Sequence, residues 1–128
     1  VMRYLTADEL VAINSRLVLN NGQQPGINNV DQLDKIIAVP QSTFYDQSLR
    51  EMVANKTGFL LEAIISGKPF LSMNLQTAMI AVATLADLND YRLTFTDDEV
   101  VDLVNRVNQN TLEATDLFGI FNSHLKQK

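Results

Sequence analysis

The chain contains no cysteine and only one histidine, His124. Without cysteine there is no disulfide framework, no thiolate nucleophile and no thiolate metal site, which suits a reducing compartment, and a cytoplasmic location is expected. With a single imidazole, metal sites built on several histidines are excluded, and most metalloenzyme classes go with them. Positive charge is also scarce. Ten Lys and Arg stand against fifteen Asp and Glu, a net charge of -5 with a pI near 4.6, so phosphate backbones are repelled on balance and no nucleic-acid partner is expected. Long apolar runs are missing too: the longest, residues 78–88, is interrupted by Thr84 and Asp87 and falls short of the roughly 20 residues a membrane span needs. No membrane partner is expected, and the sequence shows no signal-peptide pattern.

The chain does have enough apolar content for a core. At 128 residues and 46% hydrophobic, with mean hydropathy near zero, it predicts one folded domain over residues 1–128 rather than a disordered chain or a multidomain protein. Met2 is the expected initiator, so Val1 is set aside as an extraneous residue.

Helix starts are marked by Ser or Thr followed three residues later by Glu, at Thr6/Glu9, Ser48/Glu51 and Thr96/Glu99. After Thr6, the apolar residues Leu10, Ile13, Leu17 and Val18 keep helical spacing until Asn20, Asn21 and Gly22. Residues 22–29, with Pro25 and Gly26, predict a loop. A short helix from Val30 buries Val30, Leu33, Ile36 and Ile37 and stops at Pro40, before an irregular stretch containing Phe44 and Tyr45. From Ser48 a long helix runs to the stop signals Gly67 and Pro69. The next helix starts at Asn74 or Leu75, and its 78–88 segment is apolar nearly all round, as in a helix wrapped by others. A brief extended turn over 92–95 leads to a helix at Thr96 with Val100, Leu103, Val104 and Val107 on one face. A final helix aligns Ala114, Leu117, Phe118, Phe121 and Leu125, and its polar tail Lys126-Gln127-Lys128 is expected to fray. The predicted fold is all-α: a bundle of about six helices around a buried central helix.

Most motif-level chemistry is excluded by what surrounds each candidate. His124 falls in the last turns of the final helix, where an imidazole near the C-terminal dipole reads as a surface residue. Ser66-Gly67-Lys68-Pro69 lacks the upstream glycine and the downstream Ser or Thr of a phosphate loop. Asp97, Asp98, Glu99 and Asp102 sit where the helix macrodipole favours acids, so no metal site is assigned to them.

The loop ahead of the apolar helix carries more information. Gly67-Lys68-Pro69-Phe70-Leu71-Ser72-Met73-Asn74-Leu75-Gln76-Thr77-Ala78 resembles the Fic/Doc (Fido) family motif His-x-Phe-x-Asp/Glu-(Gly/Ala)-Asn-(Gly/Lys)-Arg, with Phe70 and Asn74 matching. Lys68 stands at the histidine, Ser72 at the acid, Met73 at the small residue, Leu75 at Gly or Lys, and Gln76 at the arginine. Tyr4-Leu5-Thr6-Ala7-Asp8-Glu9-Leu10, Pro25-Gly26-Ile27, the helix from Val30, Phe44-Tyr45 and Leu93-Thr94-Phe95-Thr96-Asp97-Asp98-Glu99 extend the likeness over nearly the whole chain. It is closest to the Doc, or death-on-curing, toxins.

The resemblance implies a toxin–antitoxin or prophage-maintenance protein with an antitoxin and a protein target as partners. It also implies ATP and Mg²⁺ as cofactors for transfer of phosphate or AMP to a protein hydroxyl. In that scheme the histidine is the base, the acid binds metal or orients the reaction, and the arginine holds phosphate. The residues at those three positions, Lys68, Ser72 and Gln76, are the catalytic equivalents. Lysine is almost wholly protonated at pH 7, serine cannot replace an anionic ligand, and glutamine lacks a guanidinium's bidentate grip, so impaired transfer is expected. Two further readings stand beside this one: an active transferase with altered chemistry that binds a phosphorylated ligand through Lys68, Asn74 and Gln76, and a non-catalytic helical interaction module. Phe70 is expected to anchor the loop in the core, and Asn74 to cap the helix or brace the loop.

Overall fold

The computed structural model describes residues 2–41 and 48–128, the side chains of residues 39–41 aside; the Phe44-Tyr45 segment lies outside them. Six helices follow in order: α1 (Ala7–Asn20), α2 (Val30–Gln41), α3 (Leu49–Gly67), α4 (Asn74–Leu88), α5 (Asp97–Asn108) and α6 (Ala114–Ser123). Two short strands, β1 (Tyr91–Leu93) and β2 (Leu125–Gln127), pair antiparallel at the edge of this all-α bundle.

The helices begin where their caps require. Thr6 and Thr96 each accept from the backbone N–H of the glutamate three residues on, and that glutamate's carboxylate accepts from the cap's own N–H. Ser48 departs slightly: its hydroxyl accepts from the Glu51 N–H and donates to Glu51 Oε1, both at 3.1 Å. A fourth start has no Ser or Thr, and Asp116 Oδ2 accepts there from the Glu113 N–H at 3.0 Å.

α3 is the most enclosed helix and packs against α2, α4, α5 and α6. Its Leu60, Leu61 and Ile64 are sealed from solvent, as are Phe121 of α6 and Leu85 of α4. Each such side chain contributes about 1.5–3 kcal/mol on burial. At Gly58 the bundle tightens further: a Cβ there would sit 3.2 Å from the Leu117 Cβ of α6.

The structure corrects several expectations. α4 is not wrapped on every side. α1 and α3 cover it, but α5 stands across a groove from it, leaving Ile80 40% exposed and Leu75 and Met79 half-buried. Val30 is exposed because the first residue of α2 lies ahead of the helix's contact with the core, which Leu33 and Ile36 make. α2 also runs one residue past Pro40: a proline there loses its N–H bond and crowds the carbonyl four residues back, a cost that ends the helix just after it rather than at it.

Gly67 does not cap α3. It remains helical, with Gln32 Nε2 and Ile36 Cδ1 of α2 at 2.8 and 3.2 Å from where a Cβ would stand, and the left-handed cap falls to Lys68. The C-terminal tail does not extend α6. The chain turns at His124, and Leu125, 6% exposed, pairs with Leu93 while Gln127 pairs with Tyr91. Lys128 completes the ribbon, its N–H donating to the Asp90 carbonyl and its ammonium pairing with Asp87. No helix among the described residues is long and apolar enough to cross a membrane.

Candidate functional site

Residues 67–73 connect the last turn of α3 to the first turn of α4, and hydrogen bonds from neighbouring elements tie this loop down. Lys68 caps α3 at φ 44°, ψ 59°, its N–H donating to the Ile64 carbonyl at 3.0 Å. Met73 opens α4 at φ 59°, ψ 31° and places no side-chain hydrogen bond on the helix N-terminus. Left-handed backbone at a residue with a side chain costs about 1–2 kcal/mol, so the two bends need support from their surroundings.

That support comes from three directions. The 26–29 segment lies antiparallel to the loop, with the Leu71 N–H donating to the Gly26 carbonyl at 3.0 Å and the Asn28 N–H to the Pro69 carbonyl at 2.7 Å. Asn74 reaches back from α4: its Oδ1 accepts from the Phe70 N–H at 3.0 Å and its amide donates to the Phe70 carbonyl at 2.9 Å. Phe70 is thereby held by its backbone while its ring, 2% exposed, enters the core. The third support is Asn14 of α1, which is 2% exposed and donates to the Ser72 carbonyl at 2.9 Å and to Thr77 Oγ1 at 3.0 Å.

Asn14 escaped the sequence reading. Its signal was nonetheless present: it sits four residues from both Leu10 and Val18, a lone amide within an apolar stripe. A buried polar group must find partners, so such a position points to a distant hydrogen bond.

The residues singled out in sequence all lie on this one loop and helix start. Lys68 and Gln76 are exposed, Ser72 is half-buried with its carbonyl turned to Asn14, and Asn74 directs its amide at Phe70. The first turn of α4 lacks a side-chain cap, so its N-terminal N–H groups and the positive end of its dipole carry no side-chain partner from the cap residue. Chemically this is a rigid cradle with one exposed ammonium and one neutral amide at its rim.

The cradle runs into the groove between α4 and α5. Gln76 and Leu75 continue into a wall formed with Met79 and Ile80, and Val100, Val101 and Val104 form the other wall around a space of about 520 Å³. Its lining is almost wholly apolar, and Ile80 and Val101 are 40% and 59% exposed. Elsewhere, the acids of α5 do not converge: Glu99 turns to Thr96 and His124, and Asp102 to Arg106 at 3.7 Å. Among the described residues, no group of three or more His, Asp or Glu side chains could hold a metal ion.

No protein-family model matches the chain, and no curated protein matches it in sequence.

Proposed function

We propose that the chain is a Doc-like member of the Fic/Doc family, from a toxin–antitoxin or prophage-maintenance system, that binds a protein partner and is impaired in ATP-dependent transfer to protein hydroxyls. The observation that carries this reading is the junction of a strained, fully braced loop with an open apolar groove. The loop invests two left-handed residues and a buried asparagine in one backbone shape. Stored strain of this kind clusters at functional sites.

The side chains at the rim do not fit Mg²⁺ and a nucleotide. Ser72 offers no carboxylate, Gln76 offers no positive charge, and both polar atoms of Asn74 are engaged by Phe70. No transfer step is assigned to them. Partner binding is supported by the groove, since contiguous exposed apolar surface marks interaction sites. An amphipathic helix laid between α4 and α5 would cover Leu75, Ile80, Val101 and Val104. Asp97, exposed on α5 one turn before Val101, favours a basic residue on the flank of that helix. In this reading the occupant is the antitoxin.

The test has two arms. ATP labelled on the γ-phosphate or on the adenosine is incubated with the protein and cell extract, and no labelled protein is expected; labelling abolished by Lys68→Ala overturns the impairment. Co-expression with the product of the adjacent open reading frame is expected to give a complex that Ile80→Glu and Val101→Glu each abolish. A complex indifferent to both changes removes the groove from the reading.

The uncapped N-terminus of α4 beside exposed Lys68 favours one second reading, retention of a phosphorylated ligand without transfer. A ligand at 100 times its dissociation constant adds about 2.7 kcal/mol of stability. A thermal shift with ATP, GTP or other nucleotides, with and without Mg²⁺, decides between the two.

A further inference from the structure

Three elements meet where α6 ends. His124, expected from sequence to be an ordinary surface residue, lies flat against Phe95 with ring centroids 4.2 Å apart and planes 9° from parallel. Its side chain is only 22% exposed. The imidazole Nδ1 is 2.7 Å from the Ile120 carbonyl oxygen, one turn back on α6, and Nε2 is 2.7 Å from Glu99 Oε2 on α5. Both neighbours are acceptors. A neutral imidazole has one N–H, so it must set a lone pair against one of them; only the imidazolium donates at both. The carboxylate is itself fixed, because Glu99 Oε1 accepts from the Thr96 N–H at 2.9 Å in the α5 cap.

The contact extends beyond the pair. The Thr94 N–H donates to the His124 carbonyl at 2.8 Å, which joins the ring's position to the β1–β2 ribbon. Arg50 of α3 donates to the Asn122 and Leu125 carbonyls on either side. The other face of α5 carries Val100, Val101 and Val104, one wall of the groove.

We propose that Glu99 and His124 form a proton-operated latch, closed while the imidazole is protonated, that fastens the end of α6 and the β1–β2 ribbon onto α5 and so steadies one wall of the groove. The latch stands on its own geometry and does not depend on what occupies the groove.

Other charged side chains stand near the ring. From α5, Asp98, Asp102 and Arg106 line the same hollow of about 340 Å³ as the pair, and Arg106 is matched by Asp102. From the ribbon, Arg92 and Lys126 stand opposite one another, and from α3 comes Arg50. On α6 itself the acid, Asp116, lies in the first turn. Besides the chain's α-amino group, His124 is the one group in this sequence whose ordinary pKa falls between pH 5 and 8.

Burial of the ring works against its charge, but the Ile120 carbonyl and the Glu99 carboxylate outweigh it, so His124 titrates above 6.5. On Glu99, the Thr96 N–H and then His124 hold the carboxyl below its ordinary 4.5, to about 2. The sign follows for each group. The histidine's contribution is fully present below pH 6.5, where the unfolded chain is protonated too, and is lost as pH rises through the raised value. The glutamate's contribution is present above pH 4.5 and is lost as pH falls through about 2.

The experiment uses the intact chain. Because there is one histidine, its ring resonances identify themselves in an NMR titration, and a midpoint above 6.5 is expected, moving down in Glu99→Gln, which keeps a side chain able to cap α5. Between pH 6 and 9 the exchange protection of the Thr94 amide is expected to fall by about tenfold for each unit by which that midpoint exceeds 6.5. In His124→Gln the protection should stay level. A wild-type midpoint at or below 6.5, a midpoint unmoved by Glu99→Gln, or the same pH-dependent loss of Thr94 protection in His124→Gln overturns the latch.

Discussion

Asn14 donates a 2.9 Å hydrogen bond to the carbonyl of Ser72, tying the first helix of the chain to the candidate loop across 58 positions of sequence. Its other amide hydrogen goes to Thr77 Oγ1, so one buried side chain sets both the end of the loop and the first turn of α4. Asn14→Ala removes both bonds and strands two inward-facing acceptors, a loss expected at about 2–4 kcal/mol. Urea denaturation with an unchanged slope would measure it, and exchange at the 71–73 amides should quicken beyond the global loss.

Lys68→Gly should stabilise the protein. The residue caps α3 in left-handed backbone with an exposed side chain, and glycine adopts that geometry without the Cβ penalty. The expected gain is about 1 kcal/mol, read as a rise of a few degrees in Tm. Lys68→Ala keeps the penalty and should leave Tm nearly unchanged.

Restoring the family's residues tests whether the loop retains the family's geometry. Lys68→His, Ser72→Asp and Gln76→Arg together are expected to create measurable ATP binding but little transfer, and each alone to do little, because groups that act as a unit are strongly non-additive. Adding Met73→Gly clears a bulky side chain from the helix N-terminus at a position whose φ of 59° suits glycine. Calorimetry with ATP and Mg²⁺ is the measurement. A folded quadruple variant that binds no nucleotide confines the resemblance to the fold.

Removal of residues 126–128 distinguishes a paired strand from a frayed tail. Loss of the Tyr91↔Gln127 and Arg92↔Lys126 pairings and of the Lys128–Asp87 ion pair is expected to cost about 1–3 kcal/mol and to expose the β1 amides to exchange. An unchanged denaturation midpoint would contradict the ribbon.

Much of the loop could be read in the sequence, though not its internal wiring. Phe70 and Asn74 stood out through the resemblance to the family motif, and Asn74 does brace the loop, but the partner it grips is the Phe70 backbone, which no side-chain pattern announces. Gly67 looked like a helix stop because glycine so often is one; its actual neighbours, Gln32 and Ile36, come from a helix some thirty residues earlier. The apolar run at 78–88 promised a wholly wrapped helix. Hydropathy counts how much apolar surface a helix carries and not which neighbours arrive to cover it, and α5 stops short of Ile80.

The sequence by itself determined the all-α class, the order of six helices and most of their ends, because caps, stop residues and 3.6-residue periodicity are settled by atoms within a turn of one another. Tertiary structure alone decided that Leu125 leaves α6 to pair with Leu93, that Asn14 holds Ser72, that one face of α4 stays open, and that His124 meets Glu99 rather than water. Each of those depends on groups in different elements, brought together only when the helices pack, so their energies enter no local pattern.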